Sequence, residues 1–224
     1  MTRHPTVVVF DVNETLSDMS PMATRFADVG AEPHLAKLWF ATLLRDGFAL
    51  TAAGGSERFS VLGDGVLRQV LAGVALDRDL DDAVAHVMGG FARLPLHPDV
   101  PDGVRALREA GLRLVTLTNG SSQVAENLFS AAGIREEFEA LLSVEDAGVW
   151  KPARGAYEHA ARVCGTDLGD MLLVAVHPWD IDGAGRAGMP TAWVDRAGTT
   201  YPDYFSPPTF TVAGLTDLAA ALAP

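Results

Sequence analysis

Residues 6–15 read TVVVFDVNET: a short apolar run, rich in β-branched residues, leads directly into the acidic residue Asp11. A run of this length without alternating polar positions is typical of a parallel strand that is buried on both faces. Similar runs occur further along the chain, at residues 112–117, 171–176, 191–194 and 209–212. The sequence therefore predicts a parallel sheet whose first strand ends at Asp11.

Helical segments separate these runs, and several of them end at a glycine. The predicted helices and the glycines that follow them are residues 100–110 with Gly111, residues 121–132 with Gly133, and residues 153–164 with Gly165. Glycine is common just after a helix because it adopts the left-handed conformation without steric cost. The repeated order of strand, helix and glycine predicts an α/β fold with a Rossmann-like core, in which helices flank a parallel sheet.

Residues 18–96 interrupt this order. They contain no strand-like run, and apolar residues recur at three- and four-residue steps in residues 35–43 and 79–92, which is typical of helices. Open α/β sheets bind ligands at the carboxyl ends of their strands, and a helical insert after the first strand can close over such a site. We expect an α/β core domain formed by residues 1–17 and 97–224, and a helical cap domain formed by residues 18–96.

The composition narrows the class of function. The chain has 17 basic and 29 acidic residues and a net charge of −12, which argues against nucleic acid as a partner because phosphates attract proteins rich in Lys and Arg. No apolar run approaches the roughly 20 residues of a membrane span, and residues 1–5 lead into the first strand without the pattern of a secretory leader. The single cysteine, Cys164, cannot form an internal disulfide, which fits a reducing compartment. We expect a cytoplasmic protein that binds a small molecule and neither membrane nor nucleic acid.

Residues able to carry out chemistry follow the predicted strands. Asp11 comes after the first strand, and Thr118 and Asn119 come after the second. Lys151 precedes the third of the helices named above, and Asp180 comes after the third strand. Because the ends of parallel strands meet at one edge of the sheet, we expect these side chains to converge. Together they offer a nucleophile, an anion-binding hydroxyl and amide, a charge-neutralising ammonium and a water-activating carboxylate.

In this order, the motifs resemble the haloacid dehalogenase superfamily and, within it, the type II (L-2-haloacid) dehalogenases. The resemblance covers nearly the whole chain: an Asp after the first strand, a helical cap, and the pairs Thr-Asn, Lys-Pro and Trp-Asp. It implies a core with a cap inserted after the first strand, and a hydrolase that acts on the carbon–halide bonds of short 2-haloacids. It also implies catalysis without a cofactor or metal, and a homodimer.

Most members of that superfamily are phosphatases, and this chain departs from their pattern at two positions. The phosphatase general acid, two residues after the nucleophile, is replaced by Asn13, and an acidic Mg²⁺ ligand four residues before Asp180 is replaced by Val176. Phosphoryl transfer relies on the metal and on charge neutralisation, whereas a halide is a weak base that leaves unprotonated. Both departures favour dehalogenation.

Other functions stay open at this point. The alternative enzyme is a Mg²⁺-dependent phosphatase, or a phosphonate hydrolase, acting on a small phosphorylated metabolite. The phosphonate hydrolase would need a cap lysine to form an imine, and Lys37 is the residue available. A non-catalytic binding protein is a further alternative, against which the complete set of Asp11, Lys151 and Asp180 argues.

The resemblance implies a role for each site residue. Asp11 attacks the α-carbon in line with the halide and forms an ester, and water activated by Asp180 then hydrolyses this ester. Lys151 keeps Asp11 ionised and in place, because a nearby opposite charge favours the charged form. Thr15 and His177 complete the expected catalytic set. The expected substrate-binding residues are Asn13, Arg45, Thr118, Asn119, Tyr157 and Trp179.

Two of these residues differ from the better-known type II enzymes. Arg45 is the candidate for the cap arginine that draws the halide away, although in the dehalogenases this arginine lies about one helical turn earlier, near Phe40. His177 stands where those enzymes have Asn, and Ala175 stands where they have Ser. A histidine can donate a hydrogen bond to the departing halide or to the attacking water, and near neutral pH it can do so as a cation. Because fluoride most needs such a donor, fluoroacetate is a hypothesised substrate.

Overall fold

A computed structural model describes residues 4–223, and a six-stranded parallel sheet forms the centre of this part of the chain. Residues 1–3 and residue 224 lie outside it, and so does most of the segment on which the expectation about a secretory leader rests. The strands are β1 Val7–Phe10, β2 Arg113–Thr118, β3 Ala140–Ser143, β4 Met171–Ala175, β5 Thr191–Val194 and β6 Phe210–Val212. Their order in the sheet is β3-β2-β1-β4-β5-β6, which confirms the predicted α/β fold.

Ten α-helices accompany the sheet within the described residues. Between β1 and β2 lie α1 Met22–Ala27, α2 Leu35–Ala52, α3 Phe59–Leu71, α4 Leu80–Phe91 and α5 Val100–Glu109. The later helices are α6 Ser122–Ala131, α7 Val144–Ala147, α8 Arg154–Cys164, α9 Pro178–Ala187 and α10 Leu215–Leu222. Over residues 4–223, no helix combines the length and hydropathy needed to cross a membrane.

The central strand β1 is covered on both faces of the sheet. All four of its residues are fully buried. Val7 and Val9 belong to the apolar cluster that includes α1–α4, α8 and α9, whereas Val8 and Phe10 pack with α5, α6 and α10 on the opposite face. This two-sided burial is the reason why the strand is apolar throughout instead of alternating.

The predicted strands and core helices are confirmed, and the sequence analysis named neither one further strand nor the helices α7, α9 and α10. The five predicted strands and the three predicted helices of the core lie within one residue of the observed bounds at each end. Gly111, Gly133 and Gly165 have φ angles of 84°, 66° and 60°, as expected for glycines that end helices. The sequence analysis missed β3, because Ala140–Ser143 reads ALLS and has no β-branched or aromatic residue, and Ala and Leu favour helices.

Residues 18–96 form helices, as the periodicity predicts, and these helices pack around Trp39. Its indole Nε1 donates to the carbonyl of Gly63 at 3.0 Å. Its ring lies near Phe26 of α1 and Phe91 of α4, at centroid distances of 6.2 and 5.7 Å. One tryptophan thus contacts three other helices of this segment. The division into core and cap domains at residues 18 and 96 stays a prediction.

Trp150 joins these helices to the loop that carries Lys151. Its indole Nε1 donates to the carbonyl of Glu57 at 2.9 Å, and its ring stacks on Phe59 at a centroid distance of 6.2 Å. Gly47 in α2 makes room for the ring, since a Cβ there would lie 2.5 Å from Cε3 of Trp150. The loop before Lys151 therefore depends on the absence of a side chain in α2.

We predict that Gly47→Ala lowers the free energy of unfolding by about 1–3 kcal/mol, because the methyl group overpacks the contact with Trp150. Gly65→Ala in α3 is the matched control, since nothing lies within 4 Å of a Cβ at that position. The control should raise the free energy of unfolding by about 0.5–1 kcal/mol through helix propensity. Urea titrations of both variants measure these changes, and equal stability of the two would contradict the role given to Gly47.

Candidate active site

Three neighbouring strands end at the candidate site. β1 pairs with β2 on one side and with β4 on the other, so the loops after these strands lie side by side. A crevice at such a point is where open α/β sheets bind ligands. The backbone N–H of Asp11 donates to the carbonyl of Val174 in β4 at 3.0 Å. This bond continues the pairing beyond β1 and fixes the start of the loop that carries Asp11.

A buried ammonium between two buried carboxylates forms the centre of the site. Lys151 Nζ donates to Asp11 Oδ1 at 2.9 Å and to Asp180 Oδ2 at 2.6 Å. Solvent reaches 0% of the Lys151 and Asp180 side chains and 4% of the Asp11 side chain. Since one cation faces two anions, the cluster carries a net charge of −1 when all three groups are ionised. The expected convergence of these side chains is confirmed.

Burial and charge have opposite effects on the protonation of this cluster. Burial alone would lower the pKa of Lys151, but the charges and hydrogen bonds of Asp11 and Asp180 outweigh it and raise this pKa. Burial raises the pKa of the Asp180 carboxyl, Lys151 opposes the rise, and the charge of Asp11 adds to it. Lys151 therefore remains an ammonium, and Asp180 binds a proton more readily than an ordinary aspartate does.

Hydroxyl groups hold the other oxygen of each carboxylate. Thr15 Oγ1 donates to Asp11 Oδ2 at 2.6 Å and itself accepts the backbone N–H of Val176 at 3.1 Å. The Tyr157 hydroxyl donates to Asp180 Oδ1 at 2.6 Å. Burial, with the charge of Asp180 next, raises the pKa of Tyr157 well above its ordinary value. Both carboxylates are thus fixed at both oxygens, and Tyr157 stays a hydrogen-bond donor.

Thr118 and Asn119 lie at the end of β2, as expected. Asn119 Oδ1 accepts the backbone N–H of Lys151 at 3.0 Å, and its Nδ2 donates to the Lys151 carbonyl at 3.3 Å. Thr118 Oγ1 accepts the backbone N–H of Gly120 at 2.9 Å. The side chain of Asn119 therefore positions the Lys151 backbone, whereas the hydroxyl proton of Thr118 is still available for donation to an anion.

His177 lies beside Asp11. Its Nε2 is 3.2 Å from the carbonyl of Asn13, and 3.7 Å from both Asp11 Oδ2 and Glu14 Oε2. Because a carbonyl oxygen only accepts hydrogen bonds, the contact with Asn13 requires a proton on Nε2. The imidazole ring also stacks on Trp179 at a centroid distance of 5.0 Å. His177 thus has both a polar contact with the site and an apolar contact with its wall.

Arg45 is not brought together with these residues. Its side chain is 68% exposed and pairs with the adjacent Asp46 at 2.8 Å. Phe40, one helical turn earlier, is buried, and its ring lies 6.4 Å from the His177 ring between centroids. An aromatic side chain therefore stands next to His177, near the place where the family resemblance locates an arginine. The halide-binding role of Arg45 stays a prediction without a supporting contact.

The sequence analysis missed the residues that hold the turn after Asp11. Within residues 4–223, Glu14 is the one residue other than glycine with a positive φ, at 62°, a conformation that is strained for a side chain. His97 Nε2 donates to the Glu14 carbonyl at 3.0 Å, and Arg196 Nη2 donates to the Thr15 carbonyl at 2.9 Å. Arg196 also pairs with Asp99 at 2.8 Å. Because these donors bind backbone carbonyls, no side-chain motif could have revealed them, although Arg196 follows strand β5 as Asp11 follows β1.

A metal ion would need a group of acidic or imidazole ligands. The structure places no group of three or more His, Cys, Asp or Glu side chains so that it could hold one, within residues 4–223. The position between the carboxylates of Asp11 and Asp180 is taken by the Lys151 ammonium. The charge that these carboxylates require is thus supplied by a side chain.

Comparisons with known proteins agree with this geometry. The family model of haloacid dehalogenase-like hydrolases matches residues 5–188. An (S)-2-haloacid dehalogenase of Pseudomonas sp. strain YL is 30% identical over 210 residues, covering 93% of this chain and 90% of the relative. Haloacetate dehalogenase H-2 of Moraxella sp. strain B is 30% identical over 207 residues, covering 92% of each chain.

A solved structure has the same fold over its whole length. The L-2-haloacid dehalogenase from Xanthobacter autotrophicus with chloropropionic acid covalently bound superimposes with a TM-score of 0.85 and is 25% identical. The match covers 97% of this chain and 98% of that one. In that relative, a haloacid forms a covalent bond with the protein.

We predict that Lys151→Met lowers the free energy of unfolding by about 3–5 kcal/mol, because it leaves two buried carboxylates without their cation. The chain has one other lysine, Lys37, which is exposed on α2. Lys37→Met is therefore the matched control and should change the stability by less than about 0.5 kcal/mol. Denaturant unfolding at pH 7 measures both variants, and an equally small change in each would contradict the buried ion cluster.

Proposed function

The chain belongs to the haloacid dehalogenase-like hydrolases, and from this premise we propose that it hydrolyses short 2-haloacids to 2-hydroxy acids through an ester on Asp11. The observation that carries this proposal is the buried Lys151 ammonium between Asp11 and Asp180. It presents one carboxylate as a nucleophile and a second as a base, in a place from which water is largely excluded. A site of this kind favours covalent catalysis, because burial removes the water that would solvate the nucleophile.

In the first step, a carboxylate oxygen of Asp11 attacks the α-carbon of the 2-haloacid. The new C–O bond forms as the carbon–halogen bond breaks, and the halide leaves with the bonding electron pair. Lys151 and Thr15 hold the carboxylate so that one orientation is available for attack. Because a halide needs no proton to leave, the site requires no general acid at Asn13.

In the second step, water attacks the Asp11 carbonyl carbon and gives a proton to Asp180. Ester formation has by then removed the negative charge of Asp11, which is one cause of the raised pKa of Asp180. Asp180 is therefore paired with Lys151 alone and is ionised when it must act as the base. Collapse of the tetrahedral intermediate expels the alkoxide, which takes the proton held by Asp180 and leaves as the 2-hydroxy acid. The second proton of the attacking water, left on the Asp11 carboxyl, is released to solvent and restores the carboxylate. Over one cycle, water and haloacid give hydroxy acid, halide and one proton.

The geometry favours this reaction over phosphate-ester hydrolysis. A phosphatase would need a proton donor where Asn13 stands and an acidic metal ligand where Val176 stands. The ammonium of Lys151, bonded to both carboxylates, provides one positive charge. That charge suits a monoanionic haloacid better than a phosphate dianion.

We assign the remaining residues from their contacts. Thr118 donates its hydroxyl proton to the substrate carboxylate, Asn119 positions Lys151, and Tyr157 orients Asp180. His177 donates to the departing halide or to the attacking water, and Trp179 forms the wall on which the imidazole stacks. Asn13 contributes its carbonyl to His177, and the assignment of its side chain to the substrate comes from the family resemblance alone.

The proposal extends to the setting in which the enzyme acts. We propose that it works in the cytoplasm as a homodimer, without a cofactor or metal. The single Cys164, buried and unpaired, supports a reducing compartment. Lys151, in place of a metal ion, supports catalysis that is independent of chelators. Size-exclusion chromatography with light scattering tests the dimer.

We predict that Asp11→Asn lowers halide release by several orders of magnitude, because an amide oxygen is a poor nucleophile. The assay uses chloroacetate, 2-chloropropionate and fluoroacetate, each with and without a chelator. Asp203→Asn, at an exposed aspartate, is the control and should retain the activity of the unmodified enzyme. Single turnover in H₂¹⁸O should label Asp11. Activity that needs Mg²⁺ and acts on p-nitrophenyl phosphate would exclude the proposal.

We predict a second effect in the pH dependence of kcat, which reports groups in the enzyme–substrate complex. Asp180 must be ionised to accept a proton, so activity rises as the pH increases through its pKa. The hydrogen bond from Tyr157 lowers this pKa, and Tyr157→Phe should therefore move the acid limb to higher pH. Its rate should approach that of the wild type at alkaline pH. Tyr204→Phe is the control, since Tyr204 is 79% exposed, and an unshifted limb in Tyr157→Phe would exclude Asp180 as the base.

A further inference from the structure

A large cleft adjoins the candidate site. Its volume is about 850 Å³, and it lies between α1 and α2 on one side and the loops after β1 and β4 on the other. Apolar side chains form the helical wall: Met22, Ala36, Phe40, Ala41 and Leu44. Polar side chains form much of the opposite wall: Glu14, His97, His177 and Arg196.

The inner end of the cleft is one side chain away from Asp11. His177 lines the cleft, and its Nε2 lies 3.7 Å from Asp11 Oδ2. Phe40 lines the cleft from the helical side, and its ring lies 6.4 Å from the His177 ring between centroids. The cleft therefore comes within one side chain of the reacting carboxylate, and His177 is the residue that borders both.

The cleft is much larger than a short haloacid requires. A cavity of about 150 Å³ is enough to bind benzene, and pockets of roughly 300–1,000 Å³ bind ligands of drug size. The methyl group of a 2-halopropionate would leave most of the 850 Å³ to water. The volume thus provides room for a substituent of several carbon atoms.

The charges along the cleft indicate that this substituent is apolar. Two permanent cations line the cleft. Arg196, on the core side, is already bonded to the Thr15 carbonyl and to Asp99. Lys37, on α2, is exposed to solvent, where pairing with an anion contributes little. The Glu14 carboxylate lies at the same wall as Arg196 and would repel a second anionic group. The apolar wall from α1 and α2 remains, and it favours alkyl chains through the hydrophobic effect.

We propose that the cleft binds the α-substituent of 2-haloacids longer than 2-halopropionate, with an unbranched alkyl chain as the occupant. This inference rests on the proposed function, since the carboxylate and the halide stay at Asp11 while the chain enters the cleft. Each methylene group that is moved from water to the apolar wall should raise kcat/KM about fourfold. The preference should continue until the chain reaches the open end of the cleft.

The test measures kcat/KM for bromide release from 2-bromopropionate, 2-bromobutyrate, 2-bromopentanoate and 2-bromohexanoate. We expect kcat/KM to increase with each methylene group. Ala41→Trp, at an exposed position of the wall, should lower kcat/KM for 2-bromohexanoate about tenfold or more. The same variant should change kcat/KM for 2-bromopropionate less than about twofold. Ala49→Trp, at an exposed alanine of α2 outside the cleft, is the matched control and should affect neither substrate.

Each other outcome counts against a defined part of the scheme. If 2-bromopropionate releases bromide but kcat/KM stays level or falls as the chain becomes longer, the cleft proposal is overturned and the proposed function remains in place. The same holds if Ala41→Trp lowers kcat/KM equally for all four acids. Ala41→Leu repeats the test with a smaller side chain if the tryptophan variant does not fold. No bromide release from any of the acids overturns the proposed function, and the cleft proposal with it.

Discussion

The structure of the site depends on one buried ammonium that two carboxylates share. Removing Lys151, Asp11 and Asp180 from water is costly, and the cost is offset only when each charge has partners at hydrogen-bond distance. The two distances of 2.9 and 2.6 Å provide this for the ammonium, and the hydroxyls of Thr15 and Tyr157 complete the partners of the carboxylates. The surrounding loops must therefore hold these groups in place.

Neighbouring elements supply these constraints through backbone contacts. Asn119 holds the backbone of Lys151 from the loop after β2, and Trp150 attaches the same loop to Glu57, before α3. On the other side, Arg196 after β5 holds the turn that contains Thr15. The turn keeps Glu14 at a positive φ, which is unfavourable for a side chain and is retained when surrounding contacts determine it. Rigid placement of the reacting groups is thus built from contacts that carry no chemistry themselves.

The difference between the groups that react and the contacts that position them explains what could be predicted from the sequence. Five strands follow from apolar runs, and the convergence of Asp11 and Asp180 follows from residue types at strand ends, because the parallel sheet brings those ends together. Lys151 was placed with them from its position just before a core helix. The edge strand β3 has the sequence ALLS, without a β-branched or aromatic residue, and so does not show the pattern of a strand. The contacts of His97 and Arg196 were missed because their acceptors are backbone carbonyls. Every residue has one, so the sequence does not show which carbonyl is bound. Arg45 was placed by a correspondence that is offset by about one helical turn within α2, and the structure has it exposed beside Asp46.

The net charge of the cluster connects the two halves of the proposed reaction. Before the reaction, two carboxylates share one ammonium, so Lys151 cannot fully neutralise either of them, and Asp11 stays a competent nucleophile. Ester formation makes Asp11 neutral and leaves the ammonium to Asp180 alone. The ammonium of Lys151 thus first lowers the reactivity of Asp11 only in part, and then stabilises the ionised form of Asp180. Neither change requires movement of a protein group. One lysine between two aspartates can therefore serve both steps, provided that bulk water beyond the attacking molecule is excluded and that the carboxylates keep their hydroxyl partners.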